Sequence, residues 1–148
     1  MKLSRASIYA VHGLTFLAGQ PARSYVPLSK IRDEVGLPEK HLAKIFQALV
    51  RMGLLKSLRG VNGGFSLARP ADTITALEII RSIDGHFARS DCPVHPETRD
   101  PGRCCSVSRL VFEGRQRMAD VLGKATLAEL TLRTRGDPPL DPLPRPAK

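Results

Sequence analysis

A chain of 148 residues with 42% apolar content has enough material for one ordinary core plus appendages, which excludes a disordered or fibrous protein. No window approaches the roughly 18 consecutive apolar residues of a membrane span, and Lys2, Arg5, His12 and Gln20 interrupt the N-terminus, so a cytoplasmic protein is expected. The net charge of +9 lies early: residues 1–90 hold 13 Lys/Arg against 6 Asp/Glu, the other 58 hold 10 against 8, a bias that gathers a polyanion such as DNA on the first two-thirds.

In chain order, the spacing of Ala6, Ala10, Leu14 and Leu17 predicts a first helix over about Ser4 to Ala18, ended by Gly19. After a connection, Pro27 at a first helical position opens a short second helix striped by Leu28, Ile31 and Val35 and stopped by Gly36. Leu37-Pro38 restarts the chain, with Pro38 in the first turn. Leu42, Ile45, Leu49 and Met52 give the third helix its core stripe before Gly53. Its other face carries Glu39, Lys40, His41, Ala43, Lys44 and Gln47, a polar and cationic set which, taken alone, reads first as a solvated surface.

Two short helices around a tight glycine turn are a helix-turn-helix signature, in which the second helix enters the major groove. A strand over Leu54 to Arg59, the turn Gly60-Val61-Asn62-Gly63-Gly64 and a return strand over Phe65 to Ala68 then predict a hairpin, the wing. Arg59 stands at the base of that turn. With a turn of residues that accept positive φ and adjacent glycines that offer bare backbone, the tip suits phosphates or the minor groove, with Asn62, Gly63 and Gly64 beside Arg59, the plain alternative being a glycine hairpin with a solvated arginine.

A fourth helix is expected from Thr75, where Thr75 and Glu78 make a capping box and Ile74 staples onto Ile79. Leu77, Ile80 and Ile83 form its stripe, and Asp84-Gly85 closes it. From His86 to Arg103 the chain is rich in Pro, Gly, Asp and Arg without apolar period, an irregular loop holding Cys92 and His95. A long helix resumes over about Ser106 to Leu122, with Leu110, Val111, Met118, Val121 and Leu122 apolar, and a short one follows around Thr126 to Leu132. A second copy of the chain is the simplest partner for the long stripe. The tail, with five prolines, is expected to be flexible.

The fold class expected is therefore mainly α with a small β-hairpin wing (α+β), a winged helix-turn-helix followed by a long C-terminal dimerisation helix. Its divisions are 1–85 for the DNA-binding domain, 86–105 for a cysteine-containing sensor loop, 106–133 for the dimerisation region and 134–148 for the tail.

Three cysteines, Cys92, Cys104 and Cys105, are an odd count without a secretion signal, which argues against a disulfide framework and toward metal binding or redox sensing. No nucleophile and base pair, phosphate loop or hydrolase spacing appears, so an enzyme is not expected. Asn62-Gly63-Gly64 sits in a hairpin and not between a strand and a helix, Cys92 with His95 in a loop is a poor catalytic pair, and His12, His41 and His86 have ordinary surface or packing roles.

The run from Gly53 to Ala68, the opening Met1-Lys2-Leu3-Ser4 with Tyr9-Ala10, and Thr126-Leu127-Ala128-Glu129-Leu130 together resemble the Rrf-two family of winged-helix transcription regulators, of the IscR and NsrR type, from Met1 to about Leu132. The resemblance implies a homodimer with crossed C-terminal helices, recognition helices in successive major grooves, wings in flanking minor grooves and a palindromic operator of double-stranded DNA. It also implies operator contacts at Lys40, Ala43 and Lys44, with Arg59 and Gly63-Gly64 on the wing. The IscR branch has an acidic residue where this chain has Ala43, so that branch's base preference does not carry over.

Many members of that family hold an iron-sulfur cluster on three cysteines and a fourth ligand between winged domain and dimer helix, soft thiolates suiting the iron. The resemblance places Cys92 at the first ligand and Cys104 or Cys105 at the last. Thr98 stands near the missing middle cysteine, Ser108 where the IscR branch has histidine, and His95 is a substitute. Zinc on the same Cys92, Cys104, Cys105 and His95 is an alternative of matching number, and oxidisable thiols are another. A winged protein-interaction module that does not read DNA is opposed by the basic bias.

Overall fold

The computed structural model describes residues 3–36, 38–85 and 105–134. Their order is α1 (Arg5–Ala18), α2 (Leu28–Val35), α3 (Glu39–Arg51), β1 (Leu55–Leu58), β2 (Gly64–Leu67), a 3-10 turn (Ala71–Thr73), α4 (Ala76–Asp84), α5 (Ser106–Lys124) and α6 (Leu127–Thr134). This is the expected winged helix-turn-helix: mostly helical, with one antiparallel hairpin in the register Leu55↔Leu67, Lys56↔Ser66, Ser57↔Phe65 and Leu58↔Gly64.

One apolar cluster gathers Ala10, Leu14 and Leu17 of α1, Ile31 of α2, Leu42, Phe46 and Leu49 of α3, Leu54 and Leu55 at the start of the wing, and Ile74 and Ile79 around α4. Each large side chain so removed from water contributes about 1.5–3 kcal/mol before the entropy of ordering it. On α3 the stripe is shifted from the expected one. Phe46 is fully buried, Ile45 only in part, and Met52, the residue after the helix, is 59% exposed. The cause is on α1: a Cβ on Gly13 would lie 2.7 Å from the Phe46 ring, so the absence of a side chain there makes room for the largest apolar group of α3.

Both prolines stand one residue earlier than expected. Pro27 and Pro38 are the residues before α2 and α3, and their carbonyls accept the first intrahelical hydrogen bonds. The capping box is also displaced. Thr75 Oγ1 accepts from the Glu78 amide at 3.2 Å, but the Glu78 carboxylate turns away to Arg69. The reciprocal pair is at α6 instead, where the Thr126 amide donates to Glu129 Oε2 at 3.0 Å and the Glu129 amide to Thr126 Oγ1 at 3.2 Å.

Within the region 106–133 the two helices pack differently. Leu127 is fully buried in the same cluster as α1 and α3, its amide donates to the Ile74 carbonyl at 2.8 Å, and the Ala76 amide donates to the Ala125 carbonyl at 2.9 Å. α6 thus closes the winged domain's own core, packing on α1. Only α5 stands apart: it rests on α4, buries Ala119, and leaves Val107, Leu110, Val111 and Val121 exposed. Among the described residues no helix is long and apolar enough to cross a membrane.

Candidate nucleic-acid interface

α2 ends where Gly36 adopts the left-handed conformation, φ 69°, and the chain re-enters α3 two residues after it passes Leu37, which lies outside the described residues. Across this turn the Arg32 guanidinium bridges Asp33 at 2.7 Å and Glu39 at 3.1 Å. The hydrogen bond and charge of Asp33, joined by Glu39, push the Arg32 pKa up. Glu39 is therefore occupied in bracing the two helices.

Beyond Glu39, the outward side of α3 carries Lys40, Lys44 and Gln47 at steps of four and three, all exposed, with His41 exposed beside them and Ala43 half-buried at the edge. Arg51 continues the stripe one further turn and is exposed as well; it was legible as the next position of the same spacing, but lies beyond the set read from sequence. Lys40, Lys44 and Arg51 enter no ion pair among the described residues. The face is cationic and open, which is the property a phosphate-lined groove selects.

The wing follows directly, and the Leu54 amide donates to the Leu49 carbonyl at 3.0 Å to join it to α3. β2 is flanked on its other side by Val26, whose amide and carbonyl both bond Phe65 at 2.9 Å, while the Phe65 ring meets Phe46 edge-on at 5.1 Å. The hairpin is thereby fixed to α3 and to the segment that leads into α2. Its tip exposes Arg59, Gly60, Val61 and Asn62, with Val61 fully in solvent.

Gly63 and Gly64 sit further inward than the rest of the turn. Both are half-buried, and the positive φ values fall at Gly60 and Gly64 and not at Asn62 or Gly63. A Cβ on Gly63 would strike the Leu58 carbonyl, and one on Gly64 the Val26 carbonyl. Close approach to the chain's own backbone accounts for glycine at these two positions. Val61, bracketed in sequence by Gly60 and Asn62, is the tip residue that sequence reasoning passed over.

Of the cysteine set, Cys92, His95 and Cys104 lie outside the described residues, as does the tail beyond residue 134. Cys105 is exposed at the residue preceding α5, with Sγ 3.3 Å from Ser108 Oγ. Among the described residues no three His, Cys, Asp or Glu side chains form a metal-binding group. His12 is half-buried on α1, and desolvation holds its pKa below the ordinary value.

Comparison with known proteins agrees with this arrangement. The Rrf2 model, described as an iron-dependent transcriptional regulator, matches residues 3–133. Protein aau3 of Rhizobium meliloti is 37% identical over 93 residues, which is 62% of this chain and 59% of that protein, so the match spans less than two-thirds of that relative. Among solved structures, CymR, the global cysteine regulator of B. subtilis, superposes with a TM-score of 0.77 at 28% identity, covering 90% of this chain and 98% of that one. IscR of T. potens gives 0.71 at 30% identity, covering 90% and 88%. The chain belongs to the Rrf2 family of DNA-binding transcriptional regulators, which are not enzymes.

Proposed function

We propose that this chain is a sequence-specific regulator that binds a palindromic operator as a homodimer, reading the major groove with α3 and the flanking minor groove with the wing. The observation that carries the reading is the open cationic stripe of Lys40, Lys44 and Arg51 held beside a rigidly anchored hairpin. In this assignment Lys40, His41, Lys44, Gln47 and Arg51 face phosphates and base edges. The Ala43 methyl suits a thymine methyl, Glu39 sets the angle of α3 through Arg32, Arg59 and Asn62 meet the minor groove, and Gly63 and Gly64 shape the turn that presents them. Residues 1–85 with α6 form the reading head, α5 the dimer contact, and 86–105 the sensor segment.

The exposed apolar side of α5 supports the dimer, since two copies crossing there would set two reading heads one duplex turn, roughly 34 Å, apart. The test is a gel shift of the purified chain on fragments from its own genomic surroundings across a salt series. Binding that competes with a specific fragment and weakens steeply with salt supports the proposal; equal binding to every fragment removes the sequence-specific part.

The sensor reading rests on Cys105. Exposed at the residue preceding α5, it is placed to act as a soft metal ligand and as an oxidisable group. With Cys92, Cys104 and His95 the chain supplies three thiols and one imidazole, a donor set that fits an iron-sulfur cluster in number and softness and also fits zinc. A bound cluster supplies a redox-responsive charge at the foot of α5. The chain's own part is to couple that segment to α5, whose tilt sets the spacing of the reading heads, so a ligand must favour one dimer geometry to change DNA affinity. Anaerobic purification with an absorption spectrum and iron, sulfide and zinc analysis distinguishes the cases: a metal-free protein whose DNA affinity changes on thiol oxidation is the thiol sensor, and one indifferent to both has no sensor here.

A further inference from the structure

We infer that a groove at the base of the wing, remote from its tip, binds a small organic anion with an apolar body. In the hairpin register Lys56 pairs with Ser66, and alternation puts both on the side opposite Leu55, Phe65 and Leu67, which pack toward the core. The outer side of a two-stranded hairpin ordinarily faces water, yet Ser66 is only 6% exposed. The segment 20–25, which runs into the Val26–Phe65 bridge, walls that side.

Between this wall and the hairpin lies a cavity of about 670 Å³, within the usual ~300–1,000 Å³ of small-molecule sites. Arg23, Lys56 and Arg69 bring three cations to its lining, and no Asp or Glu lines it. Arg69 is already engaged by Glu78, whereas Arg23 and Lys56 enter no ion pair among the described residues. Among the described residues the Ser66 hydroxyl meets the carbonyl of the next residue at 3.5 Å, at the outer limit of a hydrogen bond, so it is available to a better acceptor. Leu17 and Ala71 supply an apolar flank.

Arg23 adds an independent mark. It is the one non-glycine residue with positive φ, 63°, among the described residues, and this strained backbone holds it in the wall of the groove. Charge without a counter-charge, a buried hydroxyl and an apolar flank together select a carboxylate or phosphate carried on a hydrocarbon or aromatic body. Because β1 and β2 run from this groove to Arg59 and Val61, occupancy there is placed to alter the wing.

The experiment is a ¹H–¹⁵N NMR titration of the full chain, without DNA, using benzoate and phenyl phosphate as probes. Saturable shifts confined to residues 17–25, 56 and 66–71 are expected with at least one probe, and the preferred probe tells a carboxylate site from a phosphate site. The Arg23→Ala/Lys56→Ala double variant, both positions exposed, should weaken binding at least about tenfold with the remaining spectrum unchanged, and Ser66→Ala should weaken it less. No saturable shift with either probe, shifts elsewhere, or an undiminished response in the double variant would overturn the inference. So would loss of DNA affinity in that variant without probe binding, which would assign the cations to the operator's phosphates.

Discussion

The backbone amide of Ser4 donates to Asp84 Oδ2 at 3.1 Å, so the residue that caps α1 is fastened to the last residue of α4. Ser4 Oγ also accepts from the Ser7 amide at 3.1 Å and lies 3.1 Å from Ser7 Oγ. The cysteine-containing stretch of the sequence begins immediately after this knot, which makes Asp84 a fixed point at the end of the winged domain.

Burial opposes ionisation of Asp84, but hydrogen bonds from the Ser4 and Ser7 side chains and the Ser4 amide outweigh it and hold the pKa below the ordinary 3.8. A carboxylate with a depressed folded pKa contributes stability that is present above its unfolded pKa and is lost as pH falls through the folded one. Asp84→Ala should therefore lower the melting temperature near neutral pH, and the gap from the parent should narrow as acid protonates Asp84. Melting curves across the acid range check this; a gap independent of pH would leave the carboxylate's charge without a role.

Leu127 is the residue that makes α6 part of the winged core. Leu127→Ala opens a cavity between α6 and α1, for which large-to-small substitutions cost about 2–5 kcal/mol. Denaturant unfolding should show that loss as a lowered midpoint, and truncation after Lys124 should lose at least as much. If either variant keeps the parent's stability, α6 is not part of the cooperative unit.

Glycine at position 13 is tied to the Phe46 ring. Gly13→Ala puts a methyl within 2.7 Å of it and should destabilise by about 1–3 kcal/mol, despite alanine's better helix propensity. The double change Gly13→Ala with Phe46→Leu should recover part of the loss, a coupling that a double-mutant cycle reads directly.

These particulars show where the sequence is transparent. Helix existence and the wing were legible because Leu14, Leu17, Ile31, Leu42 and Leu49 repeat at helical steps and Gly60 to Gly64 punctuate two short strands. The third helix's largest core residue was hidden because Phe46 is buried by a missing side chain on another helix, a relation no single-helix period contains. The Thr75/Glu78 box closes on one side only, since the Glu78 carboxylate has a longer-range partner in Arg69, and α6 seemed an appendage since docking on α1 is a contact across the whole chain. At the site, the exposed positions of α3 followed from the same period as its core, while Val61 and the inward roles of Gly63 and Gly64 depend on how the turn closes.

Lys44 and Arg51 lie on the open stripe of α3. Removing a phosphate-contacting cation weakens binding across all sequences and flattens the salt dependence by about one unit of log K against log salt. Lys44→Ala and Arg51→Ala should each do this with the fold intact. A variant with reduced affinity and an unchanged slope would instead place its side chain on base edges, where the loss falls on the specific fragment alone.

On α5, Val107, Leu110, Val111 and Val121 share one exposed side, turned well away from the buried Ala119, and Gly114 within that stripe has nothing within 4 Å of where a Cβ would stand. Apolar residues so arrayed are costly in water unless a second helix covers them, and a glycine at the centre lets the second backbone come close. Leu110→Arg with Val121→Arg should therefore yield a folded monomer by analytical ultracentrifugation, the core being untouched. Because the second half-site is engaged at high effective concentration only when the subunits are joined, operator affinity should fall by about 10²–10⁴. A dimer that survives both arginines would move the twofold contact off α5 and, with it, the spacing of the two α3 helices.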